Sequence, residues 1–143
     1  MKKIVFLFVI SCFFCSCEEP CNEASLGPPN FIIEIIDATT NENVFSNGTY
    51  SQSQLEITTP NSNSSNFSFI SENNLNIIGI SPAWKNGTFT TFIKLNNEIT
   101  IPIVSIVEKV STRCQTNYIL KSVSIDGFEN SFNSESGIYK IKI

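Results

Sequence analysis

The residues of this chain that could do chemistry are its cysteines and its carboxylates. The 143-residue sequence contains five cysteines, thirteen acidic residues and no histidine. Without an imidazole, the chain lacks the base of the Ser-His and Cys-His nucleophile systems and the commonest metal ligand. The chemistry to be expected therefore depends on what the cysteines do, and three of them, Cys12, Cys15 and Cys17, lie close together near the N-terminus.

The N-terminal segment has the layout of a secretory signal peptide. Lys2 and Lys3 supply a basic start, and an apolar run follows over residues 4–14. A helix needs about 20 apolar residues to cross a bilayer, so this run is too short for a transmembrane segment and is typical of an export signal. We predict a lipoprotein signal peptide over residues 1–16, the alternative being a segment retained as an N-terminal anchor.

The end of this segment resembles a lipobox, the motif in which a small residue precedes the cysteine that receives lipid. Ser16 is small and precedes Cys17, but Phe14 and Cys15 depart from the usual pattern. Cleavage before Cys15 would put Phe14 in the small position. Cleavage before Cys12 is the stronger rival, because Ser11 precedes it, although it would leave two phenylalanines exposed on the tether.

The cysteine count favours lipid attachment at Cys17. Removal of residues 1–16 would leave Cys17 for the lipid and Cys21 and Cys114 as an even pair in an oxidising compartment. We therefore predict a Cys21–Cys114 disulfide, against the alternatives of two buried free thiols or a bridge to another chain. With the bridge, the three residues after Cys17 would let the anchor reach at most ~14 Å. Without it, the tether could extend roughly 45 Å to Phe31.

The carboxylates indicate a chemical role less clearly than the cysteines do. The pairs Glu34/Asp37 and Asp126/Glu129 could in principle hydrolyse a glycosidic bond. Four acids near predicted loops could contribute calcium ligands: Asp37, Glu42, Asp126 and Glu129. Such pairs arise by chance among thirteen acids, and no calcium-loop spacing is present. We expect no catalytic residue, no cofactor and no metal.

Trp84 lies in a predicted loop, in the stretch Ser81-Pro82-Ala83-Trp84-Lys85. A tryptophan on a loop can stack on a sugar ring or anchor a partner protein. The alternative, which we favour from the sequence, is a tryptophan that covers an edge of the fold.

The charge of the exported chain is acidic. Without Lys2 and Lys3, seven basic residues face thirteen acidic ones, a formal charge of −6. A chain of this charge is a poor ligand for nucleic acid, which requires a basic face. The acidic charge also argues against electrostatic docking to anionic membrane lipids. We therefore expect the lipid on Cys17 alone to attach the protein to its membrane.

Composition and patterning predict an all-β fold. Asn and Ser favour turns, Ile, Val, Thr and Phe favour strands, and alanine occurs only at positions 24, 38 and 83. Short apolar runs alternate with turn residues, as in a β-sandwich. We predict a lipid-anchored linker over residues 17–30 and, over 31–143, a single antiparallel β-sandwich, immunoglobulin-like, of about eight strands. They are expected at 31–37, 55–58, 67–70, 75–80, 88–95, 98–108, 118–125 and 138–143.

Alternation within three of these strands predicts which face is buried. Mostly apolar residues fall on one face of each strand: Phe89, Thr91, Ile93 and Leu95 on the first, Ile99, Ile101, Ile103 and Ser105 on the second, and Tyr139, Ile141 and Ile143 on the third. Two packed sheets require this one-faced pattern. Pro102 interrupts the second strand and cannot donate a ladder hydrogen bond, so it marks a sheet edge or a bulge.

Parts of the sequence resemble lipoproteins of the Bacteroidetes type. Glu18-Glu19, just after the predicted lipidated cysteine, is similar to a short form of the acidic signal that this group uses to reach the outer face of the outer membrane. The stretches at 40–45, 47–50 and 137–141 resemble a family of small lipoproteins of unknown function. The resemblance implies a lipid-anchored location in a bacterial outer membrane, on the periplasmic or the surface face, and implies no activity.

The sequence thus predicts a non-enzymatic envelope lipoprotein. Its expected partners are the membrane, through the N-terminal lipid, and a protein or glycan of the envelope that the β-sandwich binds, unless its role is structural. The alternative from another class is an inhibitor or immunity lipoprotein that presents an acidic loop to a basic enzyme or toxin.

Overall fold

The fold consists of two β-sheets that enclose one apolar core. The computed structural model describes residue 21 and residues 27–60, 65–72 and 75–143. Within these residues there are nine strands and one short 3-10 helix, Gln52–Gln54. In chain order the strands are β1 (Phe31–Ile36), β2 (Leu55–Thr58), β3 (Asn66–Glu72), β4 (Leu75–Ser81), β5 (Gly87–Leu95), β6 (Ile99–Ser111), β7 (Thr116–Ile125), β8 (Asn130–Asn133) and β9 (Ile138–Lys142).

The strands form a five-stranded and a four-stranded sheet. The first has the order β3-β4-β1-β9-β8 and the second the order β2-β5-β6-β7. Every pairing is antiparallel except that of β1 with β9, which run parallel from Ile32↔Ile138 to Ile36↔Lys142. The first and last strands of the domain therefore lie side by side at the centre of one sheet.

Alternating apolar residues explain why the two sheets pack together. The alternation predicted for the strands after Asn86 is confirmed, because Phe89, Thr91, Ile93 and Leu95 are all buried. Strands with one apolar face bury it against a second sheet. The core combines residues of both sheets: Phe31, Ile33, Ile35, Val44, Ile78, Ile80, Ile93, Leu95, Ile101, Ile103, Ile125 and Ile141.

The predicted β-sandwich and all eight predicted strands are confirmed, with boundaries shifted by up to a few residues. One strand, β8, was not predicted. Its four residues are all exposed, and only Phe132 among them is apolar, so the sequence carries no burial pattern there. The immunoglobulin-like assignment stays a prediction.

Pro102 occupies a local edge, as expected from its missing N–H. It pairs with Phe92 of β5, whereas the pairing of β6 with β7 begins one residue later, at Ile103↔Ile125. A register shift between Ile106 and Val107 adds an irregularity further along the same strand. Pro102 thus lies where β6 has a single neighbour, and no ladder bond is lost.

The sandwich has two ends with different residues. We call the end that carries the β6–β7 turn (residues 112–115) and the β4–β5 loop (residues 82–86) the disulfide end. The opposite end, which carries the β5–β6 turn (residues 96–98) and the β7–β8 connection (residues 126–129), is called the far end. Residues 82–86 join the end of β4 to the start of β5. Because this connection is short, the end of β4 in one sheet and the start of β5 in the other lie at the same end of the sandwich.

Candidate functional site

The disulfide predicted from the cysteine count is present. Cys21 and Cys114, separated by 93 positions in the sequence, are bonded, with their Cα atoms 5.4 Å apart. Cys114 lies in the turn between β6 and β7, so the bond attaches the N-terminal segment to the tip of a hairpin. The predicted signal peptide (1–16), the predicted lipid site Cys17 and its rival Cys12 lie outside the described residues.

The chain approaches β1 along the edge of the second sheet. Residues 27–30 share a shallow surface groove with Tyr118, Ile119 and Leu120 of β7. Pro29 is buried in this stretch. The end of the predicted linker (17–30) is therefore packed against the domain, and the Cys21–Cys114 bond holds Cys21 at the hairpin tip.

The loop at residues 82–86 is attached to the same hairpin. The side-chain oxygen of Asn86 accepts a hydrogen bond of 3.1 Å from the backbone N–H of Lys109 in β6. Ala83 is buried in a small apolar cluster with Phe89 and Val107, and Tyr118 packs against it. The loop is thus held in place from both of its ends.

Trp84 stands on this loop with 52% of its surface exposed. The structure therefore does not support the favoured interpretation that it covers an edge of the sandwich. An exposed aromatic ring on a positioned loop is able to contact a partner. Lys85 follows it directly, and sequence reasoning missed both Lys85 and Lys109 as site residues because nothing local marks them.

An open cleft of about 500 Å³ lies beside the loop. Thr59 and Pro60 form one side, and residues 85–90 with Phe92 form the other. The hydroxyl groups of Thr59 and Thr91 are hydrogen-bonded at 3.0 Å. Among the described residues, the lining contains Lys85 and no carboxylate.

Two of the carboxylates singled out in the sequence are in ion pairs. Glu34 forms an ion pair of 3.0 Å with Lys140 across the parallel β1–β9 pair. Glu129 forms an ion pair with Lys142 at the end of β9. In the part of the chain that the structure describes, no group of three or more His, Cys, Asp or Glu side chains is arranged to hold a metal ion.

Asp37 stabilises the turn that follows β1. Its carboxylate accepts hydrogen bonds of 2.8 Å from the backbone N–H groups of both Thr39 and Thr40. These bonds, that from Thr40 foremost, lower the pKa of Asp37 below its ordinary value of 3.8. Hydrogen bonds to the charged form favour that form, so the ionised carboxylate caps this turn.

Charge is distributed unevenly between the two ends. Six carboxylates lie at the far end, where one lysine, Lys142, accompanies them, and the disulfide end carries the cations Lys85, Lys109 and Arg113. Among the described residues, neither Lys85 nor Lys109 has a carboxylate oxygen within 4.0 Å of its ammonium group. The far-end acids are Asp37, Glu42, Glu72, Glu98, Asp126 and Glu129.

Comparison with known proteins gives no relative from which a role could be transferred: no family model, no curated protein and no solved structure matches this chain. A search of the described residues for a helix long and apolar enough to cross a bilayer returned none.

Proposed function

We propose that this protein is a lipid-anchored extracytoplasmic β-sandwich without catalytic activity, held in the outer membrane of a bacterium of the Bacteroidetes type. Its role is to bind a protein or glycan of the envelope, or to support the envelope structurally. The observation that carries this proposal is the Cys21–Cys114 disulfide. Disulfides of this kind persist in oxidising compartments, and their use of Cys21 and Cys114 leaves Cys17 for a lipid.

The position of the bond supports a lipid anchor in a second way. It connects the segment that begins at the predicted lipid site to one end of the domain, the β6–β7 turn. A domain on such a short attachment presents its opposite end away from the membrane. The far end, with its turns and carboxylates, is therefore the surface available to a partner from solution.

Intact mass of the membrane-extracted protein tests this proposal. The expected mass begins at Cys17 with two or three acyl chains, and two thiols react with an alkylating agent only after reduction. A mass that still includes Met1, or thiols that react without reduction, would overturn the proposed compartment. A lipidated chain that begins at Cys12 would instead correct the cleavage site.

A second candidate function is favoured by the six carboxylates of the far end. An acidic surface steers a basic partner towards itself, so the domain could act as an inhibitor or immunity lipoprotein that blocks a basic enzyme or toxin. Stoichiometric binding of a basic lysozyme-like enzyme, lost at high salt, is the expected result. Glu98→Gln/Asp126→Asn should weaken it, whereas Lys109→Gln, the matched control at the disulfide end, should not.

Binding to polysaccharide alone would exclude this second function. It would leave the glycan-binding form of the first proposal.

A further inference from the structure

The disulfide end is held close to whatever Cys17 is attached to. Only Glu18, Glu19 and Pro20 separate Cys17 from Cys21, and an extended chain of that length reaches at most ~14 Å. Cys21 is bonded to Cys114 at the hairpin tip. If Cys17 carries the lipid, as the proposed function requires, the tip lies within that distance of the bilayer surface.

Trp84 lies only slightly behind the hairpin tip. Asn86 of its loop is hydrogen-bonded to Lys109, and β6 continues from there only to Ser111. Two strand residues correspond to about 7 Å, comparable to the depth of the headgroup region on one side of a bilayer. The exposed indole is therefore within reach of the headgroups when the tip is in contact with the membrane.

The residues around Trp84 are of the types found at membrane interfaces. Tryptophan concentrates at the headgroup level, and lysine places its apolar stem along a surface while its ammonium group reaches water or phosphate. Lys85 follows Trp84, Lys109 is beside its loop, and Val110 on the projecting hairpin is 38% exposed. The apolar and basic groups are thus adjacent.

Electrostatics favours this orientation over the reverse one. Acidic residues are present at the disulfide end too: among the described residues these are Glu108 on β6, which forms an ion pair with Lys121, and Glu135 in the β8–β9 turn. They offset only part of the positive charge of Lys85, Lys109 and Arg113 there, whereas the far end has six carboxylates and one lysine. A negatively charged membrane surface repels the far end far more strongly than the disulfide end.

We propose that the disulfide end is a membrane-contact surface, in which Trp84 inserts at the headgroup level of the bilayer that holds the Cys17 lipid, with Lys85 and Lys109 at the lipid phosphates. This inference rests on the lipid anchor of the proposed function. The domain is then oriented on the membrane and does not tumble freely on its tether.

The single tryptophan of the chain makes this measurable. The lipidated protein, extracted from membranes, is reconstituted into vesicles of phosphatidylcholine with phosphatidylglycerol in which some lipids carry bromine near the headgroup. Bromine quenches only indoles at its own depth. We expect Trp84 to lose about half of its emission in these vesicles and its spectrum to shift to the blue, as for an indole in the interface.

The matched control moves the reporter to the far end. In Trp84→Phe/Leu75→Trp the only indole is at the first residue of β4, a position that is 46% exposed. It is separated from the Trp84 loop by the length of β4, about 20 Å. We expect no quenching there. A third variant, Lys85→Gln/Lys109→Gln, should reduce the quenching of Trp84 in vesicles that contain phosphatidylglycerol.

Each result has one meaning. Quenching of Trp84 without quenching at position 75 supports the oriented contact. Equal quenching at the two positions, or none at Trp84 while flotation and intact mass show an anchored lipid, overturns the orientation but leaves the proposed function intact. A protein that carries no lipid overturns both.

Discussion

The side-chain oxygen of Asn86 accepts a hydrogen bond of 3.1 Å from the backbone N–H of Lys109. This contact joins the loop that carries Trp84 to the hairpin that carries Cys114, two segments more than 20 residues apart in the sequence. Sequence inspection identifies Asn86 only as half of an Asn-Gly turn signal. The contact gives the loop a defined position relative to the N-terminal attachment.

Asn86→Ala should loosen this loop. Loss of the acceptor removes one hydrogen bond, an expected destabilisation of about 1 kcal/mol, and the steady-state anisotropy of Trp84 fluorescence should fall. Asn86→Asp keeps an acceptor oxygen and should retain the anisotropy of the wild type. Equal anisotropy in the wild type and in Asn86→Ala would show that the bond does not hold the loop.

Removal of the disulfide should destabilise the domain considerably. The bond closes a loop over 93 positions, and the chain-entropy model gives an upper bound of about 4–5 kcal/mol for such a loop. Denaturant unfolding of Cys21→Ser/Cys114→Ser should show a lower midpoint than the wild type under oxidising conditions. The two proteins should unfold alike in excess reductant, and a difference that persists there would assign the loss to the serines.

The parallel β1–β9 pair should be energetically central. Ile141 of β9 is fully buried and pairs with Ile35, so Ile141→Ala removes core contacts and leaves a cavity, with an expected loss of about 2–5 kcal/mol in the free energy of unfolding. Ile106→Ala is the matched control, because Ile106 is 41% exposed and should change stability by less than about 1 kcal/mol. Similar losses in both variants would contradict the packing described here.

Asp37 should make stability depend on pH in the acid range. Since its pKa is lower in the folded protein than the ordinary value of 3.8, the charged form stabilises the fold above that value. The contribution is lost as the pH falls through the lowered pKa. Asp37→Asn keeps an acceptor but no charge, so the wild type should be the more stable protein at neutral pH.

Thermal unfolding of both proteins across the acid range measures this difference. The advantage of the wild type over Asp37→Asn should shrink below pH 3.8. An advantage that stayed constant down to the lowest pH would mean that the carboxylate charge contributes nothing to the turn.

Most of the architecture could be predicted because the strands carry a period-2 apolar pattern. β2 has the predicted bounds, Leu55–Thr58, and the hairpins β3–β4 and β5–β6 pair as their turn residues indicate. β8 could not be predicted, since an exposed edge strand is specified by backbone pairing with β9 and not by burial of its own side chains. The partnership of β1 with β9 was also inaccessible, because parallel neighbours leave no local turn signal.

The candidate site, too, could be predicted from the sequence only in part. Cysteine parity led to the Cys21–Cys114 pair because disulfide formation depends on compartment and count as well as on geometry. The 52% exposure of Trp84 could not be predicted, since the burial of a loop side chain depends on segments distant in sequence. The net charge of −6 argued against contact with anionic lipid, but a sum over residues contains no information on where each charge lies.

The sequence by itself determined an all-β chain and the pairing of Cys21 with Cys114, because composition, periodicity and parity are local or additive properties. It also predicts an export signal and a lipid site at Cys17. Tertiary structure alone decided that the six carboxylates share the far end and that Trp84, Lys85 and Lys109 share the disulfide end. The physical reason is that each strand crosses the length of the sandwich and the chain then turns back for the next one. Residues far apart in sequence therefore meet at one end, and only the connectivity of the strands determines which end that is.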